Sequence, residues 1–121
     1  MIRFRFENLE IWQRAVEVAR ELFRMADLLE GKKLYRFAEQ LRGAGLSMPN
    51  NIAEGSGSTS AKEFNQFLNI ARRSTFENAS MLMIFAKDNL IPLDVKEKVL
   101  QDLDELCRMI TAFSRTLKSK E

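Results

Sequence analysis

Residues 94–118 read DVKEKVLQDLDELCRMITAFSRTLK, and the spacing of their apolar side chains decides the fold class. Large apolar residues recur at steps of four and three positions along the whole stretch: Val99, Leu103, Leu106, Ile110, Phe113 and Leu117. Because an α-helix turns once every ~3.6 residues, this spacing places all of them on one stripe of a helix. The stretch begins acidic and ends basic, which suits the helix dipole. It therefore predicts a long amphipathic helix.

Three earlier segments have the same period, so the sequence predicts an all-α fold. The segment at 8–30 has two adjacent apolar seams, which a helix needs to contact two neighbours at once, and Gly31 is expected to end it as a C-cap glycine. Ser60 with Glu63, and Asp94 with Glu97, match the capping box that starts a helix. We expect one domain over residues 1–121, with helices at about 8–30, 34–54, 60–89 and 94–118. Short links between them predict an antiparallel up-and-down four-helix bundle.

The composition agrees with an all-α fold and also indicates the cellular compartment of the protein. The chain has 121 residues, but only 5 glycines and 2 prolines, too few for the many turns of a sandwich or barrel. Its single cysteine, Cys107, cannot form an internal disulfide, which is typical of a reducing cytosol. The first residues carry charges where a signal peptide is apolar, and no apolar run approaches ~20 residues. We therefore expect a cytoplasmic protein without a membrane partner.

The absence of histidine removes several classes of chemistry. A chain with 0 histidines has no Ser-His or Cys-His nucleophile pair and no imidazole base. With one cysteine, zinc would have only carboxylates as further ligands, a poor set for that ion. No phosphate-binding glycine motif is present. We expect neither an enzyme nor a bound metal or cofactor, although an enzyme that uses only carboxylates stays possible.

The second half of the third helix is apolar around most of its circumference. The residues responsible are Phe76, Met81, Met83 and Ile84. A helix without a polar outer face cannot be fully buried in so small a protomer, so we expect a second copy to cover it. The pattern predicts a homo-oligomer with these residues at the interface.

Two blocks of sequence resemble a known family. The first is FENLEIWQRA at 6–15, and the second is LSMPNNIAEG at 46–55, followed by FLNIARRS at 67–74. Together they resemble the four-helix-bundle proteins encoded in intervening sequences of bacterial 23S rRNA genes. A related branch comprises the accessory variability determinant proteins of diversity-generating retroelements. The resemblance extends over nearly the whole chain.

The resemblance implies a homopentamer with no established enzymatic activity. In the related branch it implies binding to nucleic acid and to a reverse transcriptase. The sequence departs from the family pattern at Arg73, where glycine is frequent, and at residues 78–81. Both departures lie on the third helix, the helix that we expect to pack between subunits.

The block at 46–55 has a structural and a functional interpretation. Pro49 lies inside the second helix and predicts a kink or a local break. In the structural interpretation Asn51 and Glu54 satisfy backbone groups at a helix end, and Gly55 forms a left-handed C-cap. Ser47 belongs to the same structural motif. Glu54 would then accept hydrogen bonds from amides at the start of the third helix. The alternative is a phosphate cradle over residues 55–60, which lacks the usual lysine.

Four arginines are candidates for nucleic-acid contacts. Arg72 and Arg73 lie in the middle of the third helix, where they could contact phosphate or form ordinary ion pairs. Arg3 and Arg5 alternate with phenylalanines near the N-terminus, a pattern that can stack on bases or simply pack on the bundle.

The net charge of +2 is too small for a strongly basic coat, so any nucleic-acid role requires pooled charge. A pentamer of equal subunits would carry about +10, and clustered cations raise phosphate affinity. The sequence thus favours a non-enzymatic oligomeric module that binds RNA or acts as a scaffold. The alternative is a protein–protein adaptor that docks through the apolar half of the third helix and has no nucleic-acid role.

Overall fold

The fold consists of four long helices joined by short connections. In the computed structural model, which describes residues 1–119, a 3₁₀ turn at Arg5–Asn8 precedes four α-helices. Their bounds are Glu10–Gly31 for α1, Tyr35–Ser56 for α2, Ala61–Lys87 for α3 and Leu93–Lys118 for α4. Residues 1–119 contain no β-strand. The predicted helices are present, and each predicted end lies within two residues of the observed one.

Each helix packs against the helices before and after it in the chain, and α1 also packs against α4. Contacting residues run in opposite directions along neighbouring helices. Arg14 of α1 pairs with Glu105 of α4, for example, whereas Glu21 pairs with Lys98. The same inverse order relates α2 to α3 and α3 to α4. The four helices therefore form an antiparallel, up-and-down arrangement around one apolar core.

The core is filled by the apolar stripes that the sequence indicates. Both seams of α1 contribute, with Ala15, Val18 and Leu22 fully buried. On α4 the first four stripe residues, from Val99 to Ile110, are buried, while Phe113 and Leu117 are half-buried and pack against the core. Burial of these stripes supplies the main stabilising free energy of a fold of this kind.

The helix ends agree with the sequence in one place and differ in two. Ser60 caps α3, because its Oγ atom accepts a hydrogen bond from the backbone N–H of Glu63 at 3.1 Å. The predicted cap at Asp94 is wrong: α4 begins one residue earlier, its N-cap is Pro92, and Asp94 lies in the first turn. After α1 the left-handed residue is Lys33 at φ 66°, whereas Gly31 still belongs to the helix.

Helix α2 runs without interruption across Pro49, so the predicted possibility of a break is wrong. The predicted left-handed cap at Gly55 is also wrong. Gly55 lies inside α2, no glycine in residues 1–119 has a positive φ, and the helix ends at Ser56 with Gly57 as its C-cap residue at φ −83°. Gly55 instead permits a close crossing, because a Cβ atom there would lie 2.8 Å from Phe64 Cδ1 and from Phe67 Cβ.

Candidate nucleic-acid interface

The surface between α3 and α4 divides into two grooves of opposite character. The apolar groove lies beside the second half of α3 and has a volume of about 610 Å³. The basic groove lies beside the first half of α3 and has a volume of about 370 Å³. Arg72 lines the basic groove and Phe76, one turn further along α3, lines the apolar groove.

The apolar groove contains most of the predicted interface residues. Phe76, Met83 and Ile84 line it and are 62%, 48% and 54% exposed. Leu100 and Leu103 of α4 form the opposite side. Met81 differs from the other three, because it is half-buried against the core of its own protomer. The protomer therefore leaves three large apolar side chains of α3 in contact with water around one concavity.

The basic groove brings together three cations and four neutral hydrogen-bonding side chains. Arg72, Arg115 and Lys118 are the cations, and the neutral groups are Asn65, Asn69, Thr111 and Ser114. Leu68 and Ile110 complete the lining, which contains no acidic residue. A concave surface with this composition favours anions over cations.

Arg72 is held in place by two contacts that use different parts of its side chain. Its Nε atom donates a hydrogen bond to Thr111 Oγ1 at 3.2 Å. Its guanidinium carbon lies 5.5 Å from the centroid of the Phe76 ring, a cation–π arrangement. The Thr111 hydroxyl in turn donates to the Cys107 carbonyl at 2.9 Å, which orients it to accept from Arg72.

The other predicted cations lie elsewhere. Arg73 is exposed and lines neither groove, although it follows Arg72 directly in sequence. Arg5 donates through Nη1 to the Ser56 carbonyl at 2.9 Å and so ties the N-terminal turn to the end of α2. The Phe6 ring packs on Trp12 with centroids 4.9 Å apart, while Arg3 and Phe4 are exposed. The N-terminal pair and Arg72 therefore form no common cluster.

Sequence reasoning missed the contribution of α4 to the basic groove. The helix dipole alone accounts for basic residues such as Arg115 and Lys118 at the end of a helix. The sequence pattern therefore does not indicate either residue as part of a binding site. A signal was present, because Thr111, Ser114 and Lys118 follow each other at steps of three and four beside the apolar stripe. Asn65, Asn69 and Arg72 repeat at the same spacing on α3.

The residues of the 46–55 block stabilise the α2–α3 contact. Ser47 Oγ lies 2.8 Å from Ser74 Oγ on α3, and Asn51 Nδ2 donates to the Ser47 carbonyl at 2.8 Å. Asn78, which is fully buried, donates to the carbonyls of Ala44 on α2 and Ser74 on α3 at 2.9 and 2.8 Å. We call these five residues the α2–α3 polar network.

The structure offers little to a phosphate cradle at residues 55–60. The backbone N–H groups of Gly57 and Ser58 are bonded to carbonyls of α2, and the Ser60 side chain occupies the Glu63 N–H. Glu54 is exposed, and within residues 1–119 its carboxylate accepts no hydrogen bond from an amide of α3. The expected contact between Glu54 and α3 is therefore absent from the described part of the chain.

The surface between α1 and α4 contains paired charges. Arg14 bonds Asp102 and Glu105 at 2.9 Å each, and Lys98 pairs with Asp102 and with Glu21. Burial opposes ionisation of Asp102, but hydrogen bonding to Lys98 and the positive charges of Lys98 and Arg14 outweigh it, so the pKa of Asp102 is lowered. Arg14 and Lys98 are therefore neutralised within the protomer.

Two kinds of feature are absent from the described part of the chain. Over residues 1–119, none of the helices combines the length and the apolar character that crossing a bilayer requires. The same residues contain no cluster of three or more acidic or cysteine side chains suited to a metal ion.

Four sequential antiparallel helices, with a shared core and two grooves between α3 and α4, define this chain as an all-α protein of the four-helix class. The chain belongs to the family of 23S rRNA-intervening sequence proteins, whose model matches residues 7–112. The match extends over all of the first three helices and most of the fourth.

A solved structure has the same fold. It is the crystal structure of a protein of unknown function from the S23 ribosomal protein family of Bacteroides thetaiotaomicron. The two align with a TM-score of 0.81 over 86% of this chain and 97% of the other, at 20% sequence identity. No curated protein matches the chain.

Proposed function

We propose that the protein is a non-enzymatic, oligomeric module that binds RNA in the cytoplasm. The observation that carries this proposal is a difference between the two sides of α4: cations are paired with carboxylates on one side and line a groove without carboxylates on the other. On the α1–α4 side, Arg14 and Lys98 are paired with carboxylates. On the α3–α4 side, Arg72, Arg115 and Lys118 line a groove that contains no carboxylate.

Oligomer formation would combine such surfaces. A second copy that covers Phe76, Met83 and Ile84 removes apolar area from water, which is the general driving force for association. By family resemblance the assembly is a pentamer, which multiplies the charge of +2 to about +10. Multiplied cations bind a polyanion more tightly than one subunit does, because each neutralised phosphate releases counterions.

Two measurements on the wild-type protein test this function. Light scattering gives the mass of the particle, and RNA binding is followed from low to high salt. We expect a multiple of 14.0 kDa and an affinity that falls steeply as salt rises. A stable monomer contradicts the oligomer, and absent binding at low salt or a flat salt response contradicts the RNA role.

A second candidate is a protein–protein adaptor, which the 610 Å³ apolar groove favours. Replacing Arg72 and Arg73 together by glutamate separates the two functions. Loss of RNA retention with an intact oligomer supports the RNA module. Unchanged behaviour towards RNA supports the adaptor.

A further inference from the structure

We propose that the basic groove between α3 and α4 is a binding site for the phosphodiester backbone of single-stranded RNA, with Arg72 as its principal cation. This inference rests on the proposed function, because it assigns RNA binding to one groove and one set of side chains. This assignment also predicts that Arg73, the cation next to Arg72 in the sequence, contributes little to RNA binding.

The lining of the groove has the chemistry that a phosphate requires. Three cations supply charge, and the side-chain amide groups of Asn65 and Asn69 supply neutral N–H donors for phosphate oxygens. The two hydroxyl groups are already engaged as donors, since Thr111 donates to the Cys107 carbonyl and Ser114 donates to Asn65 Oδ1. No carboxylate competes for the cations within the lining. A phosphate on the α1–α4 surface would first have to displace Asp102 or Glu105 from Arg14.

Arg72 is preorganised for an anion. Its Nε atom is bonded to Thr111 and one face of its guanidinium lies over Phe76, while Nη1 and Nη2 have no partner within residues 1–119. These two nitrogens remain available for two phosphate oxygens, the geometry in which arginine binds phosphate best. Because the side chain is already ordered, binding costs less conformational entropy than at a mobile surface arginine.

The shape of the site favours one strand over two. The groove is a cleft of about 370 Å³ between two packed helices, with Arg72 at one end and Lys118 towards the other. A flexible single strand can lay its backbone along such a cleft, whereas a duplex is rigid and presents its phosphates on a convex surface. The groove therefore fits the backbone of a strand that is free to bend.

Two charge-matched variants test the assignment. Arg72→Gln and Arg73→Gln remove the same charge from adjacent positions, one inside the groove and one outside it. Binding of decauridylate is measured against salt, and the side-chain amide signals of Asn65 and Asn69 are followed by NMR in the oligomeric wild type. We expect Arg72→Gln to weaken binding about tenfold and to reduce the salt slope by about 0.7, whereas Arg73→Gln stays within about twofold.

A variant that leaves the net charge unchanged tests whether the position of Arg72, and not only its charge, contributes to RNA binding. Thr111→Val removes the hydroxyl that holds Arg72 without altering the net charge. We expect decauridylate binding to weaken about threefold, with an unchanged salt slope and an unchanged helical signal in circular dichroism. A Thr111→Val protein that keeps its helices and binds like wild type contradicts the preorganisation of Arg72.

The remaining outcomes separate the groove from the proposed function. If decauridylate binds but both arginine variants weaken it equally and Asn65 and Asn69 do not respond, the groove is wrong and the RNA module stands. If decauridylate fails to bind while inorganic phosphate shifts both amides, RNA is wrong as the occupant and so is the proposed function. If a duplex RNA of equal length binds more tightly through Arg72, the single-strand assignment is overturned.

Discussion

The guanidinium of Arg72 lies over the ring of Phe76, with 5.5 Å between its central carbon and the ring centroid. This contact joins the two grooves, because Arg72 lines the basic one and Phe76 lines the apolar one. A subunit that covers the outer face of Phe76 would remove water from around the pair and strengthen the attraction. Association and anion binding, as proposed above, would thereby be linked through two neighbouring side chains.

Changing Phe76 to leucine separates these two roles. Leucine retains apolar surface for association but lacks the aromatic face on which Arg72 lies, a contact worth about 0.5–1 kcal/mol at an exposed site. We expect an unchanged mass in light scattering and RNA binding weakened about threefold. Met83→Leu is the control, since Met83 lines the same groove and forms no cation–π contact with Arg72. Equal RNA affinity for the two variants contradicts the link.

Polar substitution of Met83 tests the covered surface directly. Met83→Ser removes apolar area that a second copy would bury, so we expect a lower association constant and a shift of mass towards 14.0 kDa on dilution. Leu28→Ser is matched to it, because Leu28 is 47% exposed against 48% for Met83 and lies on α1. Dissociation by Leu28→Ser but not by Met83→Ser would place the interface elsewhere.

Gly55→Ala is expected to destabilise the protein. The added methyl group would lie 2.8 Å from Phe67 Cβ, an atom fixed to the backbone of α3, so α2 and α3 must move apart. Overpacking of this kind costs about 1–3 kcal/mol in the free energy of unfolding. Gly43→Ala is the control: its Cβ would meet nothing within 4 Å, and alanine improves helix propensity by about 0.5–1 kcal/mol. In urea denaturation we expect the midpoint concentration to be lower than that of the wild type for Gly55→Ala and higher for Gly43→Ala.

Asn78→Asp is expected to destabilise the fold strongly at neutral pH. The side chain is fully buried and donates to two carbonyls, so a carboxylate there would be desolvated and would face two acceptors. We expect a loss of about 3 kcal/mol or more in the free energy of unfolding. Burial would raise the pKa of the new carboxyl, so it would become protonated as the pH falls. Protonation restores a donor, and the variant should therefore regain part of its lost stability at low pH. Asn50→Asp, on the exposed side of α2, should change stability little. Thermal melts at pH 7 and pH 4 compare the two variants.

Asp102→Asn tests the ion pairs between α1 and α4. Because the pKa of Asp102 is lowered below its usual 3.8, its charged form stabilises the folded state above that pH. This stabilisation is lost as pH falls through the lowered value, so the difference between wild type and variant should shrink from about pH 5 downwards. At pH 7 we expect a loss of about 1 kcal/mol. Asp104→Asn, whose partner Arg108 is highly exposed, should cost less at every pH.

Helix positions and the core could be predicted because they depend on local patterns. The helical period of Val99, Leu103 and Leu106 can be recognised within a single segment of the sequence. The cap formed by Ser60 likewise depends only on residues that are close in sequence. Helix ends were less predictable. The left-handed position after α1 is occupied by Lys33, two residues beyond Gly31, and the apolar period of α1 does not indicate this position.

Features that join two helices could not be predicted from either helix alone. Gly55 matters because of Phe64 and Phe67, and that contact depends on how closely α2 and α3 cross. The basic groove depends on the register of α3 against α4, which places Arg72 beside Thr111. The sequence therefore singled out Arg72 together with Arg73, and only the structure distinguishes them.

The α2–α3 polar network also limits how the hairpin of α2 and α3 can be assembled. A slip of one helix past the other by one turn, about 5.4 Å, would move Gly55 out of its close crossing with Phe64 and Phe67. Such a slip would carry Asn78 away from the Ala44 carbonyl and Ser47 away from Ser74. The Asn78 carboxamide would then be buried without its partner, so this network, together with the crossing at Gly55, favours the observed register over a slipped one during folding.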